Sequence, residues 1–161
     1  MSRLATAIAD LHLAEQELAA AFGAMAQRHS EDHEVFHLSR DLAEWSARHV
    51  DELAHLASDR DIALIGADAD RADDAPAGVG GRRAVRDRDD PSLRLLDDLR
   101  DVHRRAAGVS LDWEVLAQAA QTLRDGELLA ACQRAHPDTL RQMRWADAML
   151  KSVAPQVMAS G

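Results

Sequence analysis

Five polar residues stand where the surrounding pattern calls for apolar ones: Glu15, His49, His103, His136 and Asp147. In the seam of packed helices a carboxylate and imidazoles can do two things. They can hydrogen-bond one another and fix the register of the helices, or they can ligate a metal ion such as zinc, iron or manganese. Isolated buried charge is costly, so each must be paired, neutral or wet. Axial position decides which of them can meet. With helix breaks near residues 30 and 125, Glu15 lies ~23 Å and His49 ~28 Å from the first break, and His136 ~16 Å from the second. If the two breaks sit at opposite ends of a bundle of ~42 Å helices, His136 falls ~26 Å from the first. Glu15, His49 and His136 then gather mid-bundle, while His103 and Asp147 form a separate interhelical pair nearer one end. His12, one turn before Glu15, and Glu114, beside Trp113, are near enough to support the cluster. Glu52 and His55 have the Glu-x-x-His spacing of bundle metal sites, with Glu52 at the border of the seam and His55 pointing away from it. The candidate ligands are therefore Glu15, His49, His136, Glu52 and His12, for one metal ion (iron, zinc or manganese) or for none, since the same groups can satisfy one another without metal.

The elements that must position these residues are helices. The first runs from about Arg3 to His29, with a stripe of Leu4, Ile8, Leu11, Glu15, Leu18, Phe22 and Met25 at alternating steps of four and three. Ser30 and Asp32 are capping types at the break. The second runs to about Ser58 through Val35, Leu38, Leu42, Trp45, His49, Leu53 and Leu56. Asp90-Pro91-Ser92 starts a third helix that reaches about Arg124 and has Gly108 as a weak point. Its stripe is Leu96, Leu99, His103, Ala106, Val109, Trp113, Leu116 and Ala120. After Asp125-Gly126 a fourth helix reaches about Met158 through Leu129, Cys132, His136, Leu140, Met143, Asp147 and Leu150, with Pro137 expected to kink or restart it. Between the two hairpins, 3–58 and 92–158, residues 59–91 are rich in Asp, Arg, Gly and Pro and read as an exposed linker. Asp68, Asp70 and Asp73 there are faintly like a calcium loop. The sixth position is Asp73 rather than Gly, and no Glu occupies the twelfth.

A connection of this length spans a whole helix, and an up-down-up-down bundle has no need of it. The pattern predicts one all-α domain over residues 1–161, a four-helix bundle with a long crossover between helices 2 and 3. Composition agrees: 47% of residues are apolar but only 3% aromatic, with no Tyr, which suits close-packed helices better than sheets. The net charge of −9 and the lack of a basic stripe argue against nucleic acid or an anionic membrane as partner. One cysteine, Cys132, allows no internal disulfide and makes a thiolate cluster unfavourable. Without an apolar signal core or a membrane-length apolar run, a cytoplasmic protein is expected. No phosphate loop, nucleophile elbow or Cys-x-x-Cys motif is present, and the balance falls against an enzyme.

The stretch Asp10-Leu-His-Leu-Ala-Glu15-Gln-Glu-Leu, followed about 30 residues later by a His-bearing helix, resembles the ferritin-like superfamily, most closely the small YciF-type stress-associated bundles. The resemblance implies a dinuclear iron centre built from a Glu of the first helix, a Glu/His pair of the second and a matching set from helices three and four. Glu15 matches the first-helix Glu and His49 the second-helix His. The second-helix Glu falls near Trp45 or Ser46, neither a ligand, and no Glu-x-x-His accompanies His136. The expectation is a ferritin-like bundle with a polar or metal-binding mid-bundle cluster and no full di-iron set. The alternative is a structural or interaction protein that dimerises through a Trp-bearing bundle face. A hemerythrin-like oxygen binder is disfavoured, because His29, His33, His37 and His55 point away from the seam.

Overall fold

Each helix starts on a residue type suited to starting one. In the computed structural model, which describes residues 1–64 and 90–160, the chain forms α1 (Arg3–Arg28), α2 (His33–Asp59), α3 (Pro91–Thr122) and α4 (Gly126–Ala159). Ser2, Asp32, Asp90 and Asp125 are the N-caps, and each side chain accepts a hydrogen bond from a backbone N–H two or three residues on. Each cap satisfies one donor that a helix start leaves without a partner. Pro91 occupies the first turn of α3, where its missing N–H costs nothing.

Two helix ends close alike. Asp61 and Arg124 both take φ of 54°. The N–H of the next residue then reaches back to a carbonyl five residues earlier, Ile62 to Ala57 and Asp125 to Ala120, each at 2.9 Å. That closure favours Gly at the left-handed position, and here it is made with larger residues.

Two charged clamps fix the topology. At the end of α1, Arg28 grips both carboxyl oxygens of Asp98 at 3.0 and 2.8 Å, and His29 Nε2 lies 2.7 Å from the same group. The α1–α2 turn therefore sits against the start of α3. At the other end Arg60, just past α2, holds both oxygens of Asp125 at 2.8–3.2 Å. The Arg60 guanidinium, helped by the Leu128 N–H, holds the Asp125 carboxyl below its ordinary value. The two turns thus lie at opposite ends. α1 packs on α2 and α3, α4 packs on α3 and α2, and α1 and α4 are diagonal partners. This is the four-helix bundle with a long connection between α2 and α3 that the sequence predicts.

The core runs the length of the bundle, from Ile8, Leu11, Leu18, Phe22 and Met25 of α1 to Leu99, Val102, Val109, Trp113 and Leu116 of α3. In α1 and α3 the buried stripes follow the expected ones closely, with His103 only half-buried at the edge. α2 and α4 differ. In α2 the seam takes Ser39 and Ser46, while Leu38 and Trp45 flank it. In α4 the buried face is Leu128, Ala131, Cys132, Ala135, Thr139, Gln142 and Ala146. This is one residue earlier than the expected stripe, a rotation of ~100°. The cause is volume: Phe22 and Trp113 fill the centre, and only small or slender side chains fit opposite them. α4 runs unbroken through Pro137 and Pro155. The expected linker also begins later than residue 59, because Asp59 closes α2 and Ile62 and Leu64 pack against the core. Its stretch 65–89, including Asp68, Asp70 and Asp73, lies outside the described residues. Among those described, no helix is long and apolar enough to cross a membrane.

Left-handed backbone costs a side-chain-bearing residue about 1–2 kcal/mol, and Arg124 is exposed. Arg124→Gly is expected to raise stability by about 0.5–1 kcal/mol in urea melts, with the helical signal unchanged.

Candidate functional site

Glu15 has no solvent exposure. Its place between Leu11 and Leu18 on the buried face of α1 aims the carboxyl into the middle of the bundle. Two donors from two other helices meet one of its oxygens. His49 Nδ1 of α2 approaches Oε1 at 2.9 Å, and the Trp113 indole N–H of α3 donates to the same atom at 2.8 Å. The other face of the imidazole leads to α4, where His49 Nε2 lies 3.1 Å from Asp138 Oδ2. Arg141 reaches Asp138 Oδ1 at 3.3 Å. A relay of Trp113, Glu15, His49, Asp138 and Arg141 therefore crosses all four helices, from a fully buried carboxyl to the surface. Trp113 also packs edge-on to the His49 ring, with centroids 5.9 Å apart.

Protonation follows from the geometry. Both ring nitrogens of His49 face carboxyl oxygens, and each contact is a hydrogen bond when the nitrogen carries its proton. Burial by itself pulls the imidazole down. The hydrogen bonds and charges of Glu15, and then of Asp138, outweigh it and raise His49 above its ordinary 6.5. A cation between two carboxyls, with Arg141 beyond, balances the site.

The expected ligands divide. Glu15 and His49 meet as the spacing foretold. His136 does not join them: its Nε2 bonds Ser110 Oγ at 3.0 Å and lies 3.7 Å from Glu114 on the outer flank of α3. The rotation of α4 is the cause, since Ala135 and Thr139 take the seam and His136 is carried round to the side. Glu52 pairs with Arg134 across α2 and α4, and His55 is exposed. His12 is buried, its Nδ1 has no hydrogen-bond partner, and burial lowers its pKa. Glu15 Oε2 is likewise buried and unpartnered. His103 and Asp147 line one shallow surface depression, but Asp147 bonds Lys151 at 2.9 Å. His29 turns to Asp98, and the His33 and His37 rings pack against each other at a tilt of 31°, with centroids 4.5 Å apart.

Three members of the relay, Trp113, Asp138 and Arg141, and the buried Gln142 beside them in α4 are absent from the candidate ligands. Trp113 stands in the apolar stripe of α3, and its level beside Glu15 follows from helix rise. Asp138 borders the small-residue face of α4 and was hidden by the misplaced stripe. Gln142 is fully buried and donates to the Leu42 carbonyl at 3.0 Å and Ser46 Oγ at 2.9 Å, tying α4 to α2. The small and polar residues at 131, 135, 139, 142 and 146 recur at helical spacing, and that row contains Gln142 and is bordered by Asp138.

A dinuclear iron centre does not fit these residues. It needs several carboxylates converging on shared metal positions. Here Glu15 Oε1 is taken by two N–H donors, and Asp138 lies beyond the imidazole. Among the described residues no group of three or more His, Cys, Asp or Glu side chains is disposed to hold a metal ion. Comparison of the chain with protein-family models, curated proteins and solved structures finds no match.

Glu15→Leu strands two buried donors and is expected to cost about 3–5 kcal/mol in chemical denaturation. Trp113→Phe removes one donor and some packing and should cost about 1–3 kcal/mol. The pH dependence has a definite sign. A histidine raised in the folded state contributes stability that is complete below its unfolded value of about 6.5. That contribution fades as pH rises through the raised folded value. Melting temperature should therefore fall across that window in the wild type and stay flatter in His49→Gln.

Proposed function

We propose that the protein is a non-enzymatic bundle of ferritin-like architecture, in which a hydrogen-bonded relay stands where such bundles carry iron, and that it works by assembling with other protein surfaces as a homo-oligomer. The observation that carries this reading is the double occupancy of Glu15 Oε1 by His49 and Trp113. An oxygen already accepting two charge-assisted or aromatic N–H bonds is a poor bridging ligand, and the relay satisfies the buried charge without metal. A role in stress, by the resemblance of the first hairpin to YciF-type bundles, and a cytoplasmic setting, suited to a free buried Cys132, belong to the same reading.

A second reading has its own support. Glu15 Oε2 and His12 Nδ1 are both buried and unpartnered on one face of α1, a donor pair for a single metal ion. Metal analysis of untagged full-length protein after exposure to iron, zinc and manganese separates the two. The relay reading expects retention well below one ion per chain and no change in melting on adding chelator. Stoichiometric retention, lost in both Glu15→Gln and His12→Leu, overturns it in favour of the metal ion.

A further inference from the structure

Among the described residues six buried side-chain polar atoms have no hydrogen-bond partner, and three of them belong to one turn of α1: His12 Nδ1, Glu15 Oε2 and Gln16 Oε1. The i, i+3, i+4 spacing brings the Cβ of His12 within about 5–6 Å of each of the other two. Glu15 is fully buried and His12 is 6% exposed. Gln16 is half-buried, but its Oε1 is covered. A bare buried polar atom is costly, and a carboxylate oxygen most of all. Three on one turn mark a place that a further molecule completes.

The chemistry of the three atoms selects that molecule. Glu15 Oε2 and Gln16 Oε1 only accept, so each needs a proton brought to it. His12 Nδ1 donates or accepts according to its tautomer, and burial lowers the His12 pKa, which favours the neutral ring. One water supplies everything that is missing. Its two O–H bonds go to Glu15 Oε2 and Gln16 Oε1, and its oxygen accepts from His12 Nδ1–H. Internal waters typically make about three such bonds to buried groups that have no other partner.

Charge weighs against a metal ion in the same place. The carboxyls of Glu15 and Asp138 already face the cations of His49 and Arg141, two against two. A divalent ion held by Oε2, a neutral imidazole and an amide would add buried charge with no counterpart. A neutral molecule leaves the balance as it stands.

We propose that His12, Glu15 and Gln16 form a buried site for one water molecule, which bridges the free oxygen of Glu15 to both ends of its helical turn. The water extends the relay from Arg141 on α4 to His12 on α1 and holds His12 as the Nδ1–H tautomer. This deepens the relay reading above and rests on it.

The test uses the full-length wild-type chain, exposed to iron, zinc and manganese before crystallisation. A crystal structure that orders individual waters is expected to show one peak about 2.5–3.2 Å from all three atoms, without the anomalous signal of a metal. Heteronuclear NMR of the imidazole nitrogens should place the proton of neutral His12 on Nδ1. A peak with a metal's anomalous signal overturns the water and the relay reading together. If His49 and Trp113 still bond Oε1, three other outcomes overturn the water site and leave the relay standing. They are the absence of a peak, a direct bond from the Gln16 amide N–H to Glu15 Oε2, and a proton on His12 Nε2 instead of Nδ1.

Discussion

A carboxyl group with no access to water must find its partners inside the protein, and the bundle is arranged around that demand. Glu15 is supplied by α2 and α3 at once, through an imidazole and an indole that both point at a single oxygen. Displacing either donor by a turn of helix strips the carboxyl of one of its two bonds and leaves a buried N–H without a partner. The pairing therefore sets the axial register of three helices. His49 extends the constraint to the fourth through Asp138. Apolar packing alone tolerates sliding and rotation of smooth helices, whereas a directed hydrogen-bond chain does not.

Small residues make this arrangement possible. Ala131, Ala135, Thr139 and Ala146 leave room for Phe22 and Trp113 at the centre, and Ser39 and Ser46 do the same in α2. The resulting seam between α2 and α4 is bridged by side chains such as Gln142 rather than by bulky apolar contact. At both ends the clamps on Asp98 and Asp125 close the bundle with paired charges that are only partly exposed. Asp125 serves twice, capping α4 and receiving Arg60.

What the sequence made legible follows from the strength of each physical signal. Caps at Ser2, Asp32, Asp90 and Asp125 are local, so helix starts were readable to within a residue or two. The stripes of α1 and α3 carry large aliphatic residues and were read correctly, which placed Glu15 in the core. The crossover came from the length of a polar connection, a topological argument that needs no side chain. The orientation of α4 was not readable from hydrophobicity, because its buried face is less apolar than its flank. That single rotation moved His136 out of the cluster and hid Asp138. The Asp98 and Asp125 clamps join residues about 70 and 65 positions apart, and one surface arginine looks like another until the fold is in place.

The crossover also orders the events of folding. Each hairpin joins neighbouring helices through a tight turn and can form by local search, with little loop entropy to overcome. The His49–Glu15 contact belongs to this early stage, since its members are 34 positions apart within the first hairpin. Trp113 meets Glu15 across 98 positions, and Asp138 meets His49 across 89. Those bonds exist only once the two hairpins dock. Before docking, the first hairpin carries a carboxyl and an imidazole on an otherwise greasy face, still wetted by solvent. Docking in the wrong register would strip that water and return no partner. The polar pair thus penalises misaligned collapse at the step where an all-apolar face would accept it, and it makes native alignment the condition for dehydrating the core.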